Sequence, residues 1–159
     1  MESVHITGMG LITSIGNDLN TVTKSLREMK HGIEHHPELQ GDDSPVKLAG
    51  TVKEFDVESA DPEDWTYPEQ YRVPRATLRS FSPHVLYAWC ALQQAIKDAG
   101  LSEEEIKDPE AGMYTSSGGS MRSIHKHFEK MDARGVMACN PLAIVASIAG
   151  TLSFNLVAA

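Results

Sequence analysis

The sequence predicts an α/β fold with a largely parallel sheet, on two observations. Short apolar runs rich in β-branched residues alternate with longer stretches of helical periodicity, and each such run feeds a glycine-bearing turn that opens a helix. One of these units begins the chain at Val4–Gly16, and a second occupies Ala111–Ser120. A length of 159 residues, 41% apolar and 23% charged, suits one domain with a real hydrophobic core.

Taken in order, Val4, Ile6 and Met9 form a run too short for a helix, and Ser3–Thr7 is expected as a central strand. Gly8-Met9-Gly10 invites a dinucleotide-binding reading, but position 13 is Thr where a third glycine is needed, and no carboxylate ends a second strand at the expected distance. Glycines selected for turn geometry and close packing fit better. Asp18 is placed to cap a helix over Leu19–Lys30, with Leu19, Val22, Leu26 and Met29 on one face and His31-Gly32 as its stop. The polar stretch Ile33–Pro45 is expected as a surface loop, Leu48–Val52 as an edge strand, and the acidic Phe55–Tyr71 as an excursion with little regular structure.

Ser82-Pro83 opens the clearest helix, whose stripe of Val85, Trp89, Leu92, Ile96 and Ala99 runs to Gly100. Ser102 and Glu105 have the spacing of a capping box, and Pro109 closes the short turn that follows. Ala111–Thr115 is the second strand candidate, and the loop Ser116-Ser117-Gly118-Gly119-Ser120 lets backbone amides approach a ligand or makes a plain turn. A helix over Met121–Met131 presents Met121, Ile124, Phe128 and Met131. Asn140-Pro141 starts a last helix through Leu152, apolar on nearly every side and therefore buried in a core or at a subunit contact. Three or four buried helices on two or three strands leave the fold short of sheet.

Fourteen basic against twenty-two acidic side chains give a formal charge of −8, which disfavours a nucleic-acid-binding role. Arg72, Arg75 and Arg79, and the helical series Arg122, Lys126, Lys130 and Arg134, are either water-facing or docking points for an acidic partner. No run approaches the ~18 apolar residues of a membrane helix and no secretory signal is visible, so no membrane association is expected and the cytoplasm is the default compartment. Cys90 and Cys139 show no paired spacing, and His125/His127 point to different helix faces, so neither a metal site nor a cofactor site is predicted. Cys90 suits a small core position.

Six segments then stand in one collinear order: V-H-I-T-G-M-G-L-I-T-S-I-G-N at 4–17, the spacer at Leu26–Gly32, G-T-V-K-E-F-D at 50–56, A-L-Q-Q-A-I-K-D-A-G-L at 91–101, S-S-G-G-S at 116–120 and S-I-A-G-T-L at 147–152. Together they resemble the N-terminal half of β-ketoacyl-acyl-carrier-protein synthases, the condensing enzymes of fatty acid and polyketide biosynthesis. The resemblance implies a thiolase-like layered α/β fold, with residues 1–159 as an N-terminal ketoacyl-synthase domain whose mixed, mostly parallel sheet is incomplete. It also implies a homodimer, acyl-carrier protein as the bearer of acyl and malonyl thioesters, and a decarboxylative Claisen condensation. In that family the catalytic cysteine follows a G-P-x-x-x-I-x-x-A-C-type strand and two histidines come later. Aligned on Gly150-Thr151-Leu152, the chain is expected to stop before that strand, to need a C-terminal half and to be inactive alone, so no catalytic residue is assigned in it.

By the same resemblance Ser117, with Gly118, matches the inner end of the acyl channel. Cys139-Asn140 matches a loop that approaches the partner subunit's channel, although Ala138-Cys139 mimics the nucleophile's Ala-Cys pair. A non-catalytic subunit resembling a chain-length factor, and an unrelated α/β binding domain, are the competing readings.

Overall fold

A computed structural model describes residues 3–158. Its organising element is α3 (Pro83–Ala99), which starts at Ser82 in extended geometry with proline in the first turn and ends at Gly100. Gly100 takes the left-handed conformation (φ 68°) and returns its N–H to Ile96 and Lys97 carbonyls. Val85, Leu86 and Cys90 on this helix are fully buried. With Tyr71, Leu78, Phe81, Leu152 and Leu156 they form the core, so α3 is covered by α2 (Arg75–Leu78), the loop after it, and α7 (Thr151–Ala158). Trp89 and Leu92 of the expected stripe pack on this core from its edge.

Local chemistry sets the other helices. In α1 (Leu19–Arg27) the Asp18 carboxylate accepts from Thr21 N at 2.9 Å, as a cap should. The helix ends three residues earlier than expected because Glu28 leaves helical geometry and Met29 turns to positive φ (53°). The capping box of Ser102 and Glu105 opens α4 (Glu103–Ile106). Ser120 caps α5 (Met121–Arg134), which Gly135 terminates. A 3-10 turn at Val136–Ala138 follows, then α6 (Ala143–Ser147).

Four segments differ from expectation. Among the described residues the only ladder is antiparallel, pairing β1 (Ile33–His35) with β2 (Leu48–Gly50) in the register Ile33↔Gly50, so the presumed loop after α1 carries a strand. Ser3–Thr7 and Ala111–Thr115 are unpaired, with Val4 and Tyr114 at 98% and 99% exposure. A strand is defined by the neighbour that takes its N–H and C=O groups, and neither segment meets one among the described residues. The final helix is two: Ile148 is extended (φ −75°, ψ 139°), which ends α6 before Gly150. The α/β class stands, with helices and a small sheet.

Gly8 and Gly10 explain how the opening segment is held. A Cβ on Gly8 would lie 2.3 Å from Ala95 O, and one on Gly10 only 1.8 Å from Ala91 O, so the chain runs directly against the small-residue face of α3. Met9 N donates to the Asp98 carboxylate at 3.0 Å and Leu11 N to Gln94 Oε1 at 3.1 Å. Gln94 Nε2 donates in turn to Asn17 O and to the Tyr71 hydroxyl. The glycines serve close packing, and helix backbone fills the space a nucleotide would need.

Candidate functional site

The candidate acyl-pocket residues flank α5. At its start, Ser117 is half-buried and its Oγ accepts from Gly119 N at 3.0 Å, which shapes the turn. Gly118 is exposed with open space around it. Gly119 adopts φ 74°, and a Cβ there would meet Ser147 O at 2.6 Å, so this position admits only glycine. Ser120 N donates to the same carbonyl at 2.9 Å. The Gly-Gly loop is thereby pinned to the end of α6.

Past the other end of α5, Cys139 is half-buried and its sulfur lies 3.7 Å from Gly135 O. Asn140 is better fixed: Nδ2 donates to Arg79 O at 2.8 Å while Oδ1 accepts from Leu142 N at 3.0 Å. Cys139 and Asn140 line an open groove of about 440 Å³ with Asp61, Glu63, Arg79 and Pro141. Ser117 and Gly118 are not among its lining residues. Asn140 also lines a narrower cleft with Arg122 and Ser123 in the first turn of α5, because α6 carries the chain back to the Gly-Gly loop, so the two pairs flank α5 in sequence without standing a helix length apart.

Neither thiol is arranged as a nucleophile. Burial pushes Cys90 up to about 12, where no thiolate forms at neutral pH. Cys139 has no base within hydrogen-bonding reach among the described residues. No cluster of three His, Cys, Asp or Glu side chains able to hold a metal occurs among the described residues. No helix is long and apolar enough to cross a membrane.

Most of the basic series pairs within the fold, while Arg72 and Arg134 face water. Arg122 forms a bidentate pair with Glu38 at 2.8 Å and also binds Glu58, Lys126 sits 3.4 Å from Glu58, and Lys130 holds Asp61. Burial of Glu58 raises its carboxyl, yet Arg122 and Lys126 outweigh this and leave it below the ordinary range. Arg75 and Arg79 both pair with Glu63 and hold that carboxyl down at about 2. Sequence reasoning missed these carboxylate partners, because helical spacing places the cations on one face but is silent about what crosses it.

The family model described as Beta-ketoacyl synthase, N-terminal domain, matches residues 1–158. The chain is 32% identical over 157 residues to 3-oxoacyl-[acyl-carrier-protein] synthase 1 of Haemophilus influenzae, covering 96% of this chain and 35% of that protein. It is 31% identical over 160 residues to the enzyme of the same name from Escherichia coli K12, with the same coverage. The chain thus spans about a third of the length of these relatives. Among solved structures it is similar to a β-ketoacyl synthase from Burkholderia phymatum, with a TM-score of 0.71 at 28% identity over 98% of this chain and 36% of that one. The ishigamide ketosynthase/chain length factor shares the fold, with a TM-score of 0.67 at 24% identity over 96% of this chain and 36% of that one.

Proposed function

The chain belongs to the β-ketoacyl synthase N-terminal domain family, and from that premise we propose that it supplies the acyl-pocket portion of a 3-oxoacyl-acyl-carrier-protein synthase. The reaction is a decarboxylative Claisen condensation of an acyl thioester with a malonyl thioester, both delivered by acyl-carrier protein, in fatty acid biosynthesis. The observation that carries this reading is the continuity of the likeness across the chain, through the loops at 116–120 and 139–140.

The thiolate that takes the acyl group must come from outside these residues, because Cys90 is sealed in the core and Cys139 lacks a base. What this chain contributes is shape. Ser117 is small and half-buried at the mouth of the Gly-Gly loop, which leaves room for an acyl chain at that position. Ser117 and Gly118 do not line the groove that holds Cys139 and Asn140, which is compatible with a homodimeric pocket in which Cys139 and Asn140 of one copy complete the channel lined by Ser117 and Gly118 of another.

Ser117→Phe, assayed in the enzyme assembled with its nucleophile-bearing portion, is expected to shorten the longest acyl chain accepted while leaving short-chain condensation near wild type. An unchanged chain-length profile would remove Ser117 from the pocket. Formation of acyl-enzyme in the same assay separates a condensing enzyme from a non-catalytic subunit of chain-length-factor type, which cannot be acylated.

A further inference from the structure

Helix α5 is fastened to the rest of the fold by charge. Its cations Arg122, Lys126 and Lys130 recur every four residues, so they share one face. That face meets carboxylates from two separate stretches, Glu38 beyond β1 and Glu58 and Asp61 ahead of the 3-10 turn at Pro62–Asp64. Lys130 lies 2.5 and 2.6 Å from the two Asp61 oxygens and is 13% exposed, the most covered cation of the series.

No residue of α5 is fully buried, and none belongs to the apolar core built on α3. Its remaining helical packing is against α6 and the Val136–Ala138 turn. A narrow cleft of about 30 Å³ runs along the seam, between Val57, Trp65 and Phe81 on one side and Arg122, Lys126 and Ala146 on the other. Glycines without close neighbours stand near both ends of the helix: Gly118 before it and Gly135, at φ 82°, directly after it.

We propose that α5 is a hinged strap held closed by this ionic seam, which salt releases while the apolar core stays folded. Single exposed ion pairs contribute little, roughly a 1.4- to 5-fold preference each. Here three cations act together on a helix with no apolar anchor in the core, so their sum decides its position. Screening is the lever, since the Debye length falls from about 30 Å at 0.01 M salt to about 3 Å at 1 M. Ser117-Gly118 lead into the strap and Cys139-Asn140 lie beyond it, so release also loosens the acyl pocket. That extension rests on the proposed function, whereas the seam does not.

Amide hydrogen exchange followed by mass spectrometry, in 0.01 M and 1 M NaCl, tests the seam without any assay of condensation. Protection of residues 121–134 is expected to fall about five- to tenfold at high salt, with residues 83–99 unchanged. Lys130→Gln combined with Arg122→Gln should exchange at the high-salt rate in both buffers. The reciprocal swap Asp61→Lys with Lys130→Asp should restore low-salt protection, and it decides the matter if the neutral variant fails to fold. Salt-independent exchange in α5, parallel opening of α3, or a swap that leaves α5 unprotected would overturn the proposal.

Discussion

Gly10 is the most closely approached of the glycines, because any side chain there must enter the backbone of α3 at Ala91. The neighbouring atom is a helical carbonyl, which cannot rotate away as a flexible side chain would. Gly10→Ala should therefore cost at least about 2 kcal/mol through overpacking, read as a lowered urea midpoint. Gly41→Ala, with nothing within 4 Å, is the control and should leave the midpoint in place. Asn155 is the counterpart on the opposite side of α3: it is 3% exposed, accepts from Ser80 Oγ at 2.7 Å and donates to Ser80 O at 3.2 Å. Asn155→Leu keeps the branching and heavy-atom count but removes both bonds to Ser80, leaving the hydroxyl its bond to Thr77 O and the Ser80 carbonyl without its amide partner, so a loss of about 1 to 2 kcal/mol is expected. A double-mutant cycle with Ser80→Ala should recover part of it. The identity of Gly10 as a packing glycine was readable from the failed dinucleotide spacing, whereas the polar role of Asn155 was hidden inside an apolar run.

At the scale of elements, helices were legible because their signals are local. Asp18, Ser102 and Gly100 each act within one turn of the residues they cap, and each does so in the structure, whereas Ser82 starts α3 without a side-chain cap bond and turns its hydroxyl to His84. Strand status is a relation between distant segments, so Ser3–Thr7 has strand composition without strand pairing. The break at Ile148 was hidden for a related reason: an apolar run reads as one helix unless tertiary contacts force one residue extended. The candidate site rests on family resemblance alone, since nothing in the spacing of Ser117 and Asn140 marks either one as a pocket residue.

The link between α2 and the Pro62–Asp64 turn was equally invisible, and it titrates. Glu63, held at about 2 by Arg75 and Arg79 against an ordinary 4.5, binds its proton less readily folded than unfolded. Its contribution is present above pH 4.5 and is lost as pH falls toward 2. Both arginines are more than half exposed, so solvent screening keeps the effect small. Glu63→Gln should flatten that portion of the stability profile between pH 4.5 and 2 and leave the profile near pH 7 unchanged in slope, measured by thermal unfolding across the series.

For the whole molecule, the balance between covered and uncovered apolar surface is uneven. The core around Phe81 and Val85 is closed, and α3 is covered by the opening segment and α7. The open surface lies elsewhere: Val4 and Ile6 stand free on the unpaired opening segment, and Ile144, Val145, Ile148, Phe154 and Val157 are exposed along α6 and α7. Soluble monomers rarely show apolar patches beyond a few hundred Å², and an unpaired extended segment presents free N–H and C=O groups to any passing strand. Two kinds of contact are therefore expected, strand addition at Ser3–Thr7 and side-chain burial along α6 and α7, and they are separable. Light scattering coupled to size exclusion should show a protein of this sequence associating or co-purifying with a second polypeptide. Phe154→Glu with Val157→Lys should weaken association through α7, while Ile6→Pro should weaken only the strand-type contact, because proline removes a donor without adding charge. A monodisperse monomer that unfolds cooperatively at micromolar concentration, and is indifferent to both changes, would mean that these faces need no cover.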